Sequence, residues 1–410
     1  MSGDGAAVLA DVWRSEWGRL LALLVAQYRR LELAEDGLAD AFEAAARTWP
    51  EDGVPLNPPA WLLTAARRRV LDRLRAEAVA ARRLPVLAVE AALQQQAQRV
   101  MADDGEPVLD ERLRLVLLCA SPRLVPEAAA ALTLRLVLGV PTEDIARLFL
   151  VSTPTMAARL TRTRKRLAGQ PFALPPGPEL RERLRVVADV AYLAFTAGYA
   201  PTSGSEVLRP ALAAEAIRLL RLVRTLVTPG SPGTDDLDAR LALMLLQHAR
   251  RDARVVDGRL VLLPDQDRSR WHAAEAAEAL DLLLPQVHAP ARPALLEALI
   301  AAEHAVARTA ADTDWARIAT HYAELEALTG SPVVRLNRAV AVAEADGPLA
   351  GLALLDTLDL PGHRLPAARA ELLTRAGRPD EARTAFTEAL THCANAAERA
   401  HLERRRDELG

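Results

Sequence analysis

The stretch "PTEDIARLFLVSTPTMAARLTRTRKRL", Pro141 to Leu167, decides how the rest of the chain reads. Ile145, Ala146, Leu148 and Phe149 recur at helical spacing, and Glu143 and Asp144 stand in the first turn, where the helix dipole favours acids. Thr142 is the N-cap candidate for this helix. Ser152 then restarts a helix as its N-cap, with Pro154 in the first turn, where a missing N–H is tolerated. Met156 and Leu160 repeat at i and i+4, a spacing that packs them on the preceding helix. From Val151 to Leu167 there are five cations and no acid, in a chain of net charge −3.

Two short helices joined by a few residues, the second one basic, describe a helix-turn-helix. In that geometry the start of the second helix faces base edges, which nominates Ser152, Thr153, Thr155 and Arg159. Arg162, Arg164, Lys165 and Arg166 are then placed to neutralise phosphates. The turn carries Leu150 at a position often held by Gly.

A second basic helix lies upstream. "PAWLLTAARRRVLDRLRAEAVAARR", Pro59 to Arg83, aligns Trp61, Leu62, Ala65, Val70 and Leu74 near one stripe. Arg67, Arg68, Arg69, Arg73 and Arg75 spread round the remainder. The loop signal "WPEDGVPLNPPAW", Trp49 to Trp61, marks its entry. Two further joints follow: the acidic "MADDGEPVLDE" from Met101 and the proline-rich "GQPFALPPGPEL" from Gly169.

The totals set the class. The chain has 410 residues, half of them apolar and only 4% aromatic, and Leu and Ala dominate, which predicts an all-α fold. Every basic residue but Lys165 is Arg. High-GC coding alone produces that bias, so the position of the cations carries the information and their number does not. The balance is +2 before Pro171 and −5 from it onward. Cys119 and Cys393 follow no ligand spacing and read as small buried hydrophobes of a reducing compartment. The start of the chain is acidic and no apolar run reaches the roughly 18 residues of a membrane span. A soluble cytoplasmic protein without membrane contact is expected.

The order of these parts resembles a bacterial RNA polymerase sigma factor of the extracytoplasmic-function type, over roughly Asp11 to Ala168. The resemblance implies region 2 in residues 1–84, a linker in 85–111, region 4 in 112–168 and a Pro-rich linker in 169–180. "WLLTAARRRVLDRLR" resembles the helix that melts and reads the −10 element, through Trp61, Leu62, Ala66, Arg67, Asp72 and Arg75. By that likeness Trp61, Arg67, Arg68, Arg69, Arg73 and Arg75 are the −10 candidates. Ala34 to Trp49 resembles the helix that docks on the polymerase clamp, with Glu35, Asp36, Ala39, Asp40 and Phe42 as its candidates. "EDIARLFLVSTPTMAARLTRTRKRL" resembles the −35 reader of region 4. The chain departs from the family pattern at Ala39, Arg68 and Ala157, where Gln, Asn and a polar residue are common. The implied partners are core RNA polymerase, through clamp and flap, and promoter DNA.

Residues 181–410 read as successive helices. "LPAARAELLTRAGRPDEARTAFTEALTHCAN" pairs two helices across Gly377–Pro379, and Ala382, Phe386 and Ala389 follow the small–aromatic–small spacing of a tetratricopeptide (TPR) second helix. "SPVVRLNRAVAVAEADGPLAGLALLDTL" is a looser copy, giving a period of about 30 to 34 residues. The whole layout resembles a sigma subgroup with a C-terminal TPR-like domain, in which "VADVAYLAFTAGYAPTSG", "LPDQDRSRW" and "DTDW" are characteristic. Thr196, Ala197 and Pro264 stand where that subgroup commonly has Asn, Glu and an acid. The resemblance implies regulation through a partner protein or an intramolecular contact.

No enzyme is expected. The eight His residues all lie in this half, and none forms a His-x-x-x-His pair or joins a Cys at ligand spacing. No Gly-rich phosphate loop is present, and neither a cofactor nor a metal is expected. Asp265, Asp267, Arg268 and Arg270 read as a capped polar turn, with a small-ligand site as the alternative. Tyr192, Phe195 and Tyr199 read as core. Two other functions fit parts of the sequence: a DNA-binding regulator with a ligand-sensing helical domain, and a TPR-like scaffold with degenerate sigma domains.

Overall fold

A computed structural model describes residues 2–80, 106–149, 151–199, 210–228, 230–256, 259–393 and 396–409. Most of the linker expected at 85–111 and the turn residue Leu150 lie outside them. Among the described residues the fold is all-helical apart from one short hairpin. The chain divides into two compact units, residues 1–193 with 218–234 and residues 194–217 with 235–410.

The first unit is built on α1 (Ser2–Tyr28), α2 (Leu31–Asp52), α3 (Pro58–Ala80), α4 (Glu106–Cys119), α5 (Pro126–Leu136), α6 (Thr142–Leu148) and α7 (Thr153–Leu167). In α2 the apolar stripe Ala34, Leu38, Ala41, Phe42, Ala45 and Trp49 is fully buried. The helix runs three residues past Trp49, where the sequence placed a loop. Pro50 falls in the last turn, and Gly53, at φ 85°, ends the helix by giving its N–H to the Trp49 carbonyl at 3.1 Å. Asn57 then caps α3, accepting from the Ala60 N–H at 3.1 Å, and Leu62, Ala66 and Val70 bury its inner face.

Region 2 was expected in residues 1–84 and region 4 in residues 112–168. In the structure their helices share one core. Trp17, Leu20, Leu21 and Leu24 of α1 are buried together with Leu115 and Leu117 of α4 and Leu132 of α5. The approach is close: a Cβ on Gly18 would overlap the Val137 carbonyl. Gly139, at φ 70°, lies 3.0 Å from the Trp17 ring as counted from an added Cβ, and its carbonyl accepts the Trp13 indole N–H at 2.8 Å. The proline-rich stretch after α7 is also anchored at one end. Phe172 is buried, with its carbonyl accepting from Arg29 at 2.7 Å and its ring beneath the same guanidinium.

The second unit is a run of helices: α8 (Gly177–Tyr199) and α9 (Pro210–Leu226) each contribute one end, followed by α10 (Thr234–His248), α11 (Arg251–Arg254), α12 (Ala273–Leu283), α13 (Pro293–Val306), α14 (Trp315–Thr329), α15 (Pro332–Asp346), α16 (Pro348–Leu355), α17 (Arg364–Arg375), α18 (Pro379–His392) and α19 (Ala396–Asp407). From α13 onward each helix packs on the next. Leu296, Ile300, Ile318 and Leu325 form one core, and Leu355, Ala370, Phe386 and Ala389 belong to another. Ala382, Phe386 and Ala389 are all fully buried, as their small–aromatic–small spacing requires. Gly347 and Gly377 take positive φ at the turns between paired helices. One element was missed: Val255–Val256 pairs antiparallel with Arg259–Leu260. Its signal, β-branched residues before an Asp-Gly dipeptide, stands in "VVDGRL".

The stretches "LPDQDRSRW" and "DTDW" meet in this unit. Asp267 caps a turn at Arg268–Arg270 by accepting the Ser269 N–H at 2.9 Å, and Asp314 caps α14 by accepting the Arg317 N–H at 2.9 Å. Arg268 turns inward, donating to the His304 and Ala307 carbonyls at 2.6 and 2.9 Å beneath the Trp271 ring. A cavity of about 280 Å³ lies among Pro264, Arg268, His304, Thr313 and Trp315. Burial, with the Arg250 and Arg268 charges behind it, lowers the His304 pKa from 6.5 to about 4.

Two outcomes follow. Gly18→Ala forces α1 and the end of α5 apart and lowers stability by about 1–3 kcal/mol, read from the urea midpoint. His304 stays neutral in the folded state, so the unfolded chain alone takes up its proton below pH 6.5. Stability therefore declines as pH falls from 6.5 towards about 4, and urea titrations across that window show a shallower decline in His304→Gln.

Candidate nucleic-acid interface

The basic helix α7 is set by the cap that the sequence announced. Ser152 Oγ accepts the Thr155 N–H at 3.3 Å and lies 2.8 Å from the Thr155 hydroxyl. Met156, Leu160, Thr163 and Leu167 are buried where α7 packs on α6 and α5. α6 itself starts at Thr142 with Pro141 in the cap position, so the threonine does not cap it. The outer face of α7 exposes Ser152, Thr153, Thr155, Arg162, Lys165 and Arg166, with Arg159 half-buried beside them. Arg162, Lys165 and Arg166 have no acidic partner among the described residues, so this face keeps a net positive field.

Arg164 does not join that face. It turns to the opposite side of α7, where its guanidinium lies 2.8 Å from one Glu35 oxygen and 3.0 Å from the other. Arg135 of α5 reaches Glu35 at 2.9 Å and stacks over Trp17. Glu35 is 5% exposed, and the side chains of Arg135 and Arg164 are 15% and 17% exposed. The expected phosphate ligand Arg164 and the expected polymerase contact Glu35 are therefore paired with each other. Cys119 lies close by, its thiol pushed up by burial and by the Glu35 charge.

The upstream helices divide in the same way. Arg68 and Arg69 are exposed on α3, free of ion pairs among the described residues. Arg67 folds back to α1, donating to Gln27 Oε1 at 3.1 Å, and burial lowers its pKa against the opposing pull of Tyr28. Arg73 bridges Asp36 and Asp40 of α2 at 2.7 and 2.9 Å, and Arg75 pairs with Asp72 at 3.1 Å. Trp61 is half-buried, edge-on to Trp49 at 5.6 Å. On α2, Ala39 is half-buried, whereas Phe42 is 3% exposed against Trp13 and Trp17. Phe42 thus supports the helix from inside and presents no surface. The sequence reading overlooked Arg135. Its one signal was Glu35 itself, a charge set within the apolar stripe of α2.

A capped helix-turn-helix with an uncompensated basic face, beside a second helix carrying exposed arginines, defines a DNA-binding protein of the two-module kind. The comparisons identify the modules. Residues 14–79 match sigma-70 region 2, residues 114–167 match sigma-70 region 4, and residues 183–286 match a family of unknown function, DUF6596. The chain is 38% identical over 403 residues to an uncharacterized protein of Rhizobium meliloti (strain 1021), covering 95% of this chain and 93% of that protein. No solved structure matches. The chain belongs to the family of that relative and is an RNA polymerase sigma factor of the sigma-70 class. Binding to core RNA polymerase and promoter DNA goes with that membership. No helix among the described residues is long and apolar enough to cross a membrane.

Removing the shared carboxylate leaves two guanidinium groups buried without a counter-charge. Glu35→Ala is expected to cost about 3–5 kcal/mol in urea unfolding, and Arg164→Ala in the same background to recover part of it.

Proposed function

We propose that this sigma factor is of the extracytoplasmic-function type, directing core polymerase to a promoter class whose −35 element is read by α7 and whose −10 element is read by α3. The observation that carries the reading is the exposed face of α7. Thr153 and Thr155 stand at the helix start, where base edges are met, and Arg162, Lys165 and Arg166 line the flank, where phosphates run. Arg68 and Arg69 are the exposed cations of α3 and take the same part towards the opened strand. The acids Asp36 and Asp40 on the outer side of α2 are the polymerase-facing groups, released from Arg73 on docking.

The shared core gives this reading a resting state. The two promoter elements are about 25 base pairs apart, roughly 85 Å at 3.4 Å per step. Helices held within one compact unit do not span that distance, so α3 and α7 separate when both elements are bound. Separation opens the Glu35 cluster and frees Arg164 for phosphate and Glu35 for the polymerase. The TPR-like helices of the second unit are assigned a regulatory role, exerted on a partner or on the sigma domains, in keeping with their stacked helix pairs.

The test is promoter-dependent transcription by the full-length protein with purified core polymerase on genomic promoter fragments. Changing Arg162, Lys165 and Arg166 together to Ala abolishes initiation while retaining core binding. It also flattens the salt dependence of promoter binding by roughly 0.9 per lost phosphate contact. Duplex binding without any effect of polymerase supports the helix-turn-helix regulator instead. Neither core binding nor DNA binding supports the scaffold.

A further inference from the structure

Three side chains with metal-binding chemistry converge at the end of the second unit. His363 immediately precedes α17, Cys393 immediately follows α18 and Glu398 lies in the first turn of α19. One imidazole nitrogen, the Cys393 Sγ and one Glu398 oxygen all fall within 4.8 Å of one another. His363 Nε2 stands 3.0 Å from the Glu398 carboxylate. Among the described residues this is the one place where three such donors meet. No sequence signal pointed to it, because His363 and Cys393 flank different helices, 30 residues apart, and match no ligand motif.

An ion pair between His363 and Glu398 explains two of the three groups. The Cys393 thiol, 3% exposed at the edge of the apolar core that holds Phe386 and Leu390, brings a third donor to the same point. The backbone under that thiol is also fixed, because Arg399 donates to the Leu390 and Cys393 carbonyls at 2.7 and 2.9 Å. Thiolate, imidazole and carboxylate together form a donor set suited to zinc and its neighbours, and unsuited to magnesium or calcium. Around a tetrahedral zinc, with bonds of about 2.3 Å to sulfur and about 2.1 Å to nitrogen and oxygen, the donors stand about 3.5 Å apart. The His363–Glu398 edge already has that scale. Closing the Cys393 edge takes a shift of about 1.3 Å at most, within the reach of side-chain rotation.

We propose that His363, Cys393 and Glu398 bind one divalent transition metal of the zinc class, with a water in the fourth position. On binding, the thiol gives its proton to solvent and the imidazole coordinates in its neutral form. Thiolate and carboxylate then balance the metal's two charges. The ion ties the entry of α17 to the exit of α18 and the start of α19, so it clamps the last helix pair and the helix that covers it. This inference does not depend on promoter recognition.

The test uses the full-length protein with any affinity tag removed. It is stripped with EDTA, reloaded with zinc sulfate or cobalt chloride, desalted and assayed for metal by mass spectrometry. The wild type is expected to retain about one zinc per chain, and its cobalt form to show a thiolate-to-cobalt charge-transfer band. Cys393→Ser and Glu398→Gln reduce retained zinc to background, and Cys393→Ser removes the band. Cys119→Ser, at the other buried thiol, keeps both. Glu398 is the most exposed of the three ligands, so Glu398→Gln reports on metal even if the cysteine variant misfolds. No retained zinc in the wild type, or retention equal to the wild type in Glu398→Gln and Cys393→Ser, overturns the proposal.

Discussion

The carboxylate of Glu35 lies between two guanidinium groups from helices far apart in sequence, and the arrangement of the first unit depends on it. A charge this deeply buried persists only when it is paired and its oxygens are satisfied. Arg135 and Arg164 do both, Arg135 by its Nε and Arg164 across both oxygens. Such a cluster gains little over an apolar core of the same volume, but it is intolerant of a lost partner. It therefore specifies which helices meet more than it strengthens their meeting. That is the property needed in an arrangement that must be definite when closed and still able to open.

The same logic sorts the cations, of which the chain has too many for their number to mean anything. Arg67, Arg73, Arg135 and Arg164 are spent on partners within the unit. Arg68, Arg69, Arg162, Lys165 and Arg166 are left facing solvent. The internal set lies on helix faces that also carry buried apolar residues, and the external set lies opposite them. A helix that packs on one side and binds DNA on the other needs this split, because a cation already matched to a carboxylate releases no counterion on meeting a phosphate. The paired groups are not lost to function: those on outer surfaces, such as Arg73 with Asp36 and Asp40, exchange partners at small cost because exposed pairs hold weakly.

What was legible in the sequence was local. Ser152 and Pro154 announced the start of α7, the spacing of Met156 and Leu160 gave its buried face, and Ala382, Phe386 and Ala389 gave that of α18. These features rest on periodicity and capping, which a chain displays within a few residues. The partner of Arg164 was not legible, because a basic residue on a basic helix looks the same whether it faces solvent or a carboxylate 129 residues away. Phe42 was misplaced for a related reason. Its likeness to a docking-helix pattern said nothing of Trp13 and Trp17, which cover it from α1. The hairpin at Val255 was short enough for the helices around it to mask its signal.

Position within the helix stripe separates these cases better than residue type does. Glu35 sits one residue after Ala34 and three before Leu38, both fully buried, so the period of α2 already required its side chain to point inward. A buried acid requires a buried base, and the apolar packing of α1 on α4 and α5 brings Arg135 to it. Gly18 and Gly139 permit that packing by removing the side chains that would hold α1 away from the turn after α5. The ion cluster, the two glycines and the tryptophans between them are thus one device. Each member restricts where region 2 and region 4 can meet, and a change at any one of them acts on both modules at once.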